Sequence, residues 1–142
     1  MRIEAERELI AAPEDVWQLL SDPYHLSDWW PGYTAVRPDR RGLAEGARWQ
    51  VARGTNPRLL RRSGGEGIIL VTAVEPPFRL GWRDLQQRFD AEITLELGPD
   101  GHTRARLFVE APWWRLIVEE LRPTPPRALA RLHALCQTAA TL

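Results

Sequence analysis

The sequence predicts an α+β domain. A curved antiparallel sheet of about seven strands carries two short helices after its first strand, and a long C-terminal helix lies across its concave face. Three observations predict this. A short alternating stretch opens the chain and is followed by two helical stretches. Six further strand-like stretches, punctuated by Gly and Pro, run from Tyr33 to Glu110. A helical period then returns after Ala111.

Residues 2–10 alternate weakly, with Ile3, Ala5 and Leu9 on one face, and Arg7 shares that face. The next stretch, AAPEDVWQLLSD, reads as a helix. Pro13 suits a first helical turn, Glu14 and Asp15 suit the positive end of the dipole, and Val16, Trp17 and Leu20 fall at helical spacing. In DPYHLSDWW, Asp22 is a cap and Pro23 the first helical residue; Pro31-Gly32 ends the turn. The strands are expected at 33–38, 47–53, 67–75, 78–84, 88–97 and 103–110. The clearest is 89–97. There Phe89, Ala91, Ile93, Leu95 and Leu97 alternate with Asp90, Glu92, Thr94 and Glu96, as in an antiparallel strand with one wet face. Asp100-Gly101 supplies the hairpin turn to 103–109. A short helix is expected over Pro112 to Leu121. After Pro123, Thr124 caps a last helix at roughly 125–140, with Leu129, Leu132, Leu135 and Cys136 as its apolar stripe and His133 beside them. A curved sheet with one apolar face must be covered, and this helix alone is long enough to do so. The space between them is the usual form of a small-molecule site.

Length and composition bound the function. A chain of 142 residues makes one domain, residues 1–142, and buries roughly 68% of its unfolded surface. Nineteen basic and nineteen acidic residues cancel, which argues against a nucleic-acid binder and against a polybasic membrane anchor. No apolar run approaches the ~20 residues of a membrane span, and Met1 to Leu9 is too charged for a signal peptide, so a cytoplasmic location is expected. Cys136 is the single cysteine, which excludes an intramolecular disulfide and a Cys-rich zinc site. All basic residues are Arg, and Trp outnumbers Phe and Tyr together, seven to five.

Chemistry-bearing motifs are few. There is no HExxH, CxxC, Walker loop or GxGxxG, and His25, His102 and His133 show no metal-ligand spacing, so no metal or cofactor is expected. His133 is the best ionisable candidate. It either bonds a ligand or acts as an acid/base, or it sits at the helix edge bonded to water. Trp49 and Trp82, in mid-strand, either wall a pocket or pack under the short helices. Of Trp29 and Trp30, near the expected mouth, one packs in the core and the other gates access. Arg7 either meets a ligand carboxylate or phenolate, or lies on the surface. Leu129 and Cys136 complete the candidate lining; nothing nearby lowers the Cys136 pKa. One of Trp113 and Trp114 is expected at the surface or a contact. Arg58, Arg61 and Arg62, before Gly64-Gly65, read as a solvated hairpin.

The chain resembles the START/Bet v 1-like (SRPBCC) superfamily, and within it the polyketide cyclase/dehydrase-like group. Ile10-Ala11-Ala12-Pro13-Glu14-Asp15-Val16-Trp17 resembles the family's I-x-A-P-x-x-V-W start of the first helix. Ser21-Asp22-Pro23 with Trp29-Trp30-Pro31-Gly32 resembles its second helix. Val74-Glu75-Pro76-Pro77-Phe78-Arg79-Leu80 resembles its V-x-P-P-x-x-L turn, and Asp100 to Arg104 its G-G-T-R-V hairpin. The stretch from Pro112 to His133 resembles a subgroup ending in P-W-x-R-L…R-P…H. The resemblance implies a helix-grip fold. The leading expectation is a binding protein whose internal cavity holds a small hydrophobic molecule, a lipid or an aromatic polyketide-like compound. A cyclase/dehydratase using the same cavity, with His133 as its acid/base, is the second expectation. An interaction module with a filled core is the third. The expected partner is the small hydrophobic molecule, with no nucleic acid and no membrane insertion, in a monomer or homodimer.

Overall fold

The computed structural model describes residues 1–53, 66–112 and 121–140. Among them the elements run β1 (Arg2–Leu9), α1 (Pro13–Leu20), a 3-10 turn (Pro23–His25), α2 (Leu26–Trp29), β2 (Tyr33–Arg37), β3 (Arg48–Arg53), β4 (Glu66–Glu75), β5 (Arg79–Asp84), β6 (Phe89–Leu97), β7 (Thr103–Glu110) and α3 (Thr124–Ala140). The strands form one antiparallel sheet in the order β1-β7-β6-β5-β4-β3-β2, so β1 and β2 are its edges. The expected Pro112–Leu121 helix, with Trp113 and Trp114, and the Arg58, Arg61, Arg62 and Gly64-Gly65 readings lie outside the described residues.

Local chemistry accounts for the element ends. Pro13 opens α1 with Glu14 and Asp15 in the first turn, and Val16, Trp17 and Leu20 form its buried stripe. Asp22 caps the 3-10 turn by accepting from the Tyr24 amide at 3.0 Å. The β6–β7 turn uses left-handed backbone at Asp100 (φ 60°) and Gly101 (φ 77°), residue types that tolerate it. α3 begins at Thr124 itself, one residue before the expected start.

The sheet bends where its registers shift. Val71 pairs with Trp82 and Ala73 with Gly81, leaving Thr72 as the extra residue of a bulge. Gly81 lies opposite it, where a Cβ would stand tightly, 3.1 Å from Thr72 Oγ1. A second shift at Thr34 bends β2 against β3. α3 packs on β1, β7 and α2, burying Ala128, Leu129, Leu132 and Cys136 against the concave face. Alternation holds along β6, with Phe89, Ala91, Ile93 and Leu95 buried. Leu97, in the same phase, is 69% exposed. It is the last residue of β6, where the strand runs out into the turn. Arg7 also departs from its phase. Its register opposite Ala105 is unbroken, yet its side chain is exposed, while Leu9 two residues on in the same phase is buried.

The convex face carries charge in stripes. Glu4, Glu6 and Glu8 lie on β1, Arg104 and Arg106 on β7, Asp90, Glu92 and Glu96 on β6, and Arg79 and Arg83 on β5. Adjacent stripes have opposite sign and pair across strands: Arg104 with Glu6, Arg106 with Glu4 and Glu6, Arg79 with Glu92, and Arg83 with Asp90.

Candidate functional site

The interior is built on aromatic rings. Trp29 and Trp30 at the end of α2 meet Trp82 of β5 edge-on, with centroids 5.9 Å and 5.0 Å apart. Phe89 of β6 stacks on Trp30 at 6.0 Å and 17°. Edge-to-face and offset contacts of this kind add ~0.5–1.5 kcal/mol each beyond their burial. All four rings are at most 2% exposed.

A polar chain runs through this cluster. Trp82 Nε1 donates to Tyr33 Oη at 3.3 Å, and Tyr33 Oη donates to Asp84 Oδ2 at 2.9 Å. Arg53 Nη2 also donates to Asp84 Oδ2, while the main-chain amides of Gln86 and Gln87 donate to Oδ1 at 3.1 and 2.8 Å. Asp84 is fully buried, and every lone-pair direction of its carboxylate is in use. Burial, then the Asp84 charge, holds the Tyr33 phenol well above its usual pKa, so it stays a neutral donor. Arg53 reaches Asp84 by crossing β4 at Gly67. A Cβ on Gly67 would stand 2.5 Å from Arg53 Nη1 and 2.7 Å from Gln86 Oε1, which accepts from that same nitrogen.

The helix side differs. Leu129 and Cys136 are buried on the α3 stripe and His133 is half-buried beside them. His133 Nδ1 is buried without a hydrogen-bond partner, and so are Trp29 Nε1 on α2 and, in the polar chain, Arg53 Nε. These two helices pack against each other. Burial, then the charge of Asp15, pushes the Cys136 thiol up to about 11.

Of the candidates read from the sequence, Trp29, Trp30 and Trp82 come together as one cluster, and His133, Leu129 and Cys136 line the helix above. Trp49 stands apart from these rings, buried, with Nε1 donating to the Gly42 carbonyl at 2.7 Å. Arg7 is exposed on the edge strand. Reading the sequence missed Arg53, Asp84 and Tyr33. The signal was there: Arg53 is in phase with Trp49 and Val51, and Asp84 with Leu80 and Trp82, so two opposite charges point inward. At the β5–β6 end, a cleft of about 450 Å³ is lined by Leu85, Arg88, Phe89, Ala111 and Pro112 among others. Phe89 thus forms its floor and stacks on Trp30 behind it. Among the described residues, no group of three or more His, Cys, Asp or Glu could hold a metal ion, and no helix is long and apolar enough to cross a membrane.

A seven-stranded antiparallel sheet gripping a C-terminal helix defines a helix-grip domain of the START/Bet v 1-like class. The family described as "Polyketide cyclase / dehydrase and lipid transport" matches residues 1–137, and the chain belongs to it. Solved structures share the fold. MLL2253 from Mesorhizobium loti aligns with a TM-score of 0.75 at 21% identity, covering 97% of this chain and 98% of that one. The Aha1 dimer from Colwellia psychrerythraea aligns at 0.70 and 17%, covering 96% of each. DynU16, a protein of the dynemicin biosynthetic locus, aligns at 0.71 and 22%, covering 97% of this chain and 48% of that one. At such identities the likeness is one of fold alone. No curated protein matches in sequence.

Proposed function

We propose that the protein binds a small apolar molecule, a lipid or an aromatic polyketide-like compound, between α3 and the sheet, and that an oxygen of that molecule bridges Trp29 Nε1 and His133 Nδ1. The observation that carries this reading is the pair of buried, unpartnered polar atoms on two helices in contact. Each such atom costs ~1–3 kcal/mol while unsatisfied. A ketone, hydroxyl or carboxyl oxygen accepting from the indole N–H, and bonded to the imidazole, removes both costs at once. Trp30, Trp82, Leu129 and Cys136 supply the apolar walls; affinity grows by about 25 cal/mol per Å² that they cover. Arg7, exposed at the rim, is available to a ligand carboxylate. A cyclisation reading would rest on His133, the acid/base candidate left beside the ligand. Asp84 has no free lone pair, and Tyr33 is held neutral by burial, so the ionisable groups of the aromatic core are committed to structure. The protein acts in the cytoplasm on this reading.

Tetralin and 1-tetralone, one apolar skeleton without and with a ketone, test it by NMR. The Trp29 indole N–H resonance is expected to move with 1-tetralone, which binds more tightly than tetralin. Trp29→Phe and His133→Leu are each expected to weaken 1-tetralone by about tenfold. Equal affinity for the two compounds, or no change at the Trp29 and His133 resonances, overturns the reading.

A further inference from the structure

The two edges of the sheet are built differently. β1 presents Glu4, Glu6 and Glu8, and the neighbouring strand answers them with Arg104 and Arg106. A new strand there would meet a charge array already paired. β2 carries one charged residue, Arg37. No main-chain hydrogen bond joins residues 34–37 to any segment but β3 among the described residues. Beside this edge the convex face mixes small and apolar residues with Arg37 and Gln50. Ala35 pairs with Ala52, and Gln50 lies between Arg37 and Ile68 in register. These residues and Tyr24, 62% exposed, line a groove of about 550 Å³.

Arg37 lines the groove, and the stretch it opens, residues 37–48, has a positive excess. Arg37, Arg40 and Arg48 are exposed and form no ion pair among the described residues. Of the acids in that stretch, Asp39 is engaged by the main-chain amides of Arg41 and Arg48 at 3.0 and 2.9 Å. These amides, that of Arg48 foremost, hold its carboxyl below the usual range. Its charge still offsets one arginine, and with Glu45 it leaves residues 37–48 at four arginines against two carboxylates.

We propose that β2 is a docking edge for an extended acidic segment of a partner protein. The segment adds as an eighth strand, its main chain bonding to β2. Its apolar side chains lie on Tyr24, Ala35 and Ile68, and its carboxylates meet Arg37 and Arg48. Charge complementarity selects this occupant: a basic segment is repelled by the positive excess, and a second copy would set Arg37 and Arg48 against a like-charged surface.

Fluorescence anisotropy with a labelled, end-blocked (Val-Thr-Glu-Thr)2 peptide, in which Val and Glu share one face of the strand, tests this, with (Val-Thr-Lys-Thr)2 as control. Binding of the acidic peptide is expected, falling steeply with added salt, and about tenfold weaker in Arg37→Glu and in Arg48→Glu. Arg104→Glu, on the paired half of the face, is expected to bind as the unmodified protein does. Failure of the acidic peptide to bind, equal binding of the basic control, or indifference to both arginine substitutions overturns the proposal. So does a concentration-dependent dimer, in sedimentation, that Arg37→Glu dissociates, since the edge would then belong to a second copy. Ile68→Glu gives a check independent of the arginines, and is also expected to weaken the acidic peptide.

Discussion

Arg83 and Asp84 are neighbours in β5 and point to opposite faces of the sheet, and each is half of an arginine–aspartate pair. Arg83 meets Asp90 at 2.7 Å with side chains 54% and 44% exposed. Asp84 meets Arg53 with side chains 0% and 10% exposed. The chemistry is the same; the surroundings are not. Outside, water competes for both charges and salt screens them, so the pair contributes about 0–1 kcal/mol. Inside, the attraction is strong, but so is the cost of taking each charge out of water. The inner pair is therefore worth little more than a well-packed apolar replacement, and a great deal more than either charge left alone. Tyr33 and the two amides fill the remaining positions on the carboxylate and Gln86 takes Arg53 Nη1, while Arg53 Nε is buried without a partner.

The largest effect expected is from Asp84→Ala. It strands the Arg53 guanidinium and removes the acceptor for Tyr33, and should cost roughly 3–5 kcal/mol in urea unfolding. Arg53→Met combined with Asp84→Leu should recover most of that loss; a double variant as unstable as Asp84→Ala would show that the pair itself, and not the stranded charge, is what matters. Gly67→Ala comes next, at roughly 1–3 kcal/mol, because the new methyl occupies the space of the guanidinium. In an Arg53→Met background the same substitution should cost much less, and equal costs in both backgrounds would disprove the crossing geometry. Alkaline pH acts on the interior alone. Tyr33 and Cys136 have folded pKa values above their unfolded ones, Cys136 at about 11. The folded chain holds those protons longer, so the contribution of these two groups is full below about pH 9 and is lost as pH rises toward 11 and beyond. Cys136→Ala should flatten part of that fall in thermal melts across this range. The smallest effect is Arg83→Ala, within about 1 kcal/mol and shrinking further in high salt.

Much of this was legible before any coordinates. The alternation of Phe89 to Leu95, the Asp22 cap, Pro13 in α1 and the stripe of α3 are local signals, and local geometry honours them. The site was legible only in part. Trp29, Trp30 and Trp82 read as core or pocket walls, and their edge-on packing depends on helix and strand meeting at one angle, which no local pattern encodes. Arg7 shows the limit of alternation at an edge, where its side chain is exposed although Leu9, in the same phase, is buried. Arg53 and Asp84 were each visible as a charge in an apolar phase. Their pairing was not, because it spans β3, β4 and β5 and depends on a side chain missing at Gly67.

That missing side chain has a consequence for how the sheet assembles. Val51 faces Gly67, and Ile69 faces Asp84. If β4 slipped by one residue against its neighbours, Glu66 or Ile68 would stand under the guanidinium and every inward residue of the strand would turn outward. The bridge closes only when three strands are aligned at once. A slipped β4 would leave Arg53 and Asp84 as buried charges without each other, so the pair penalises the wrong register.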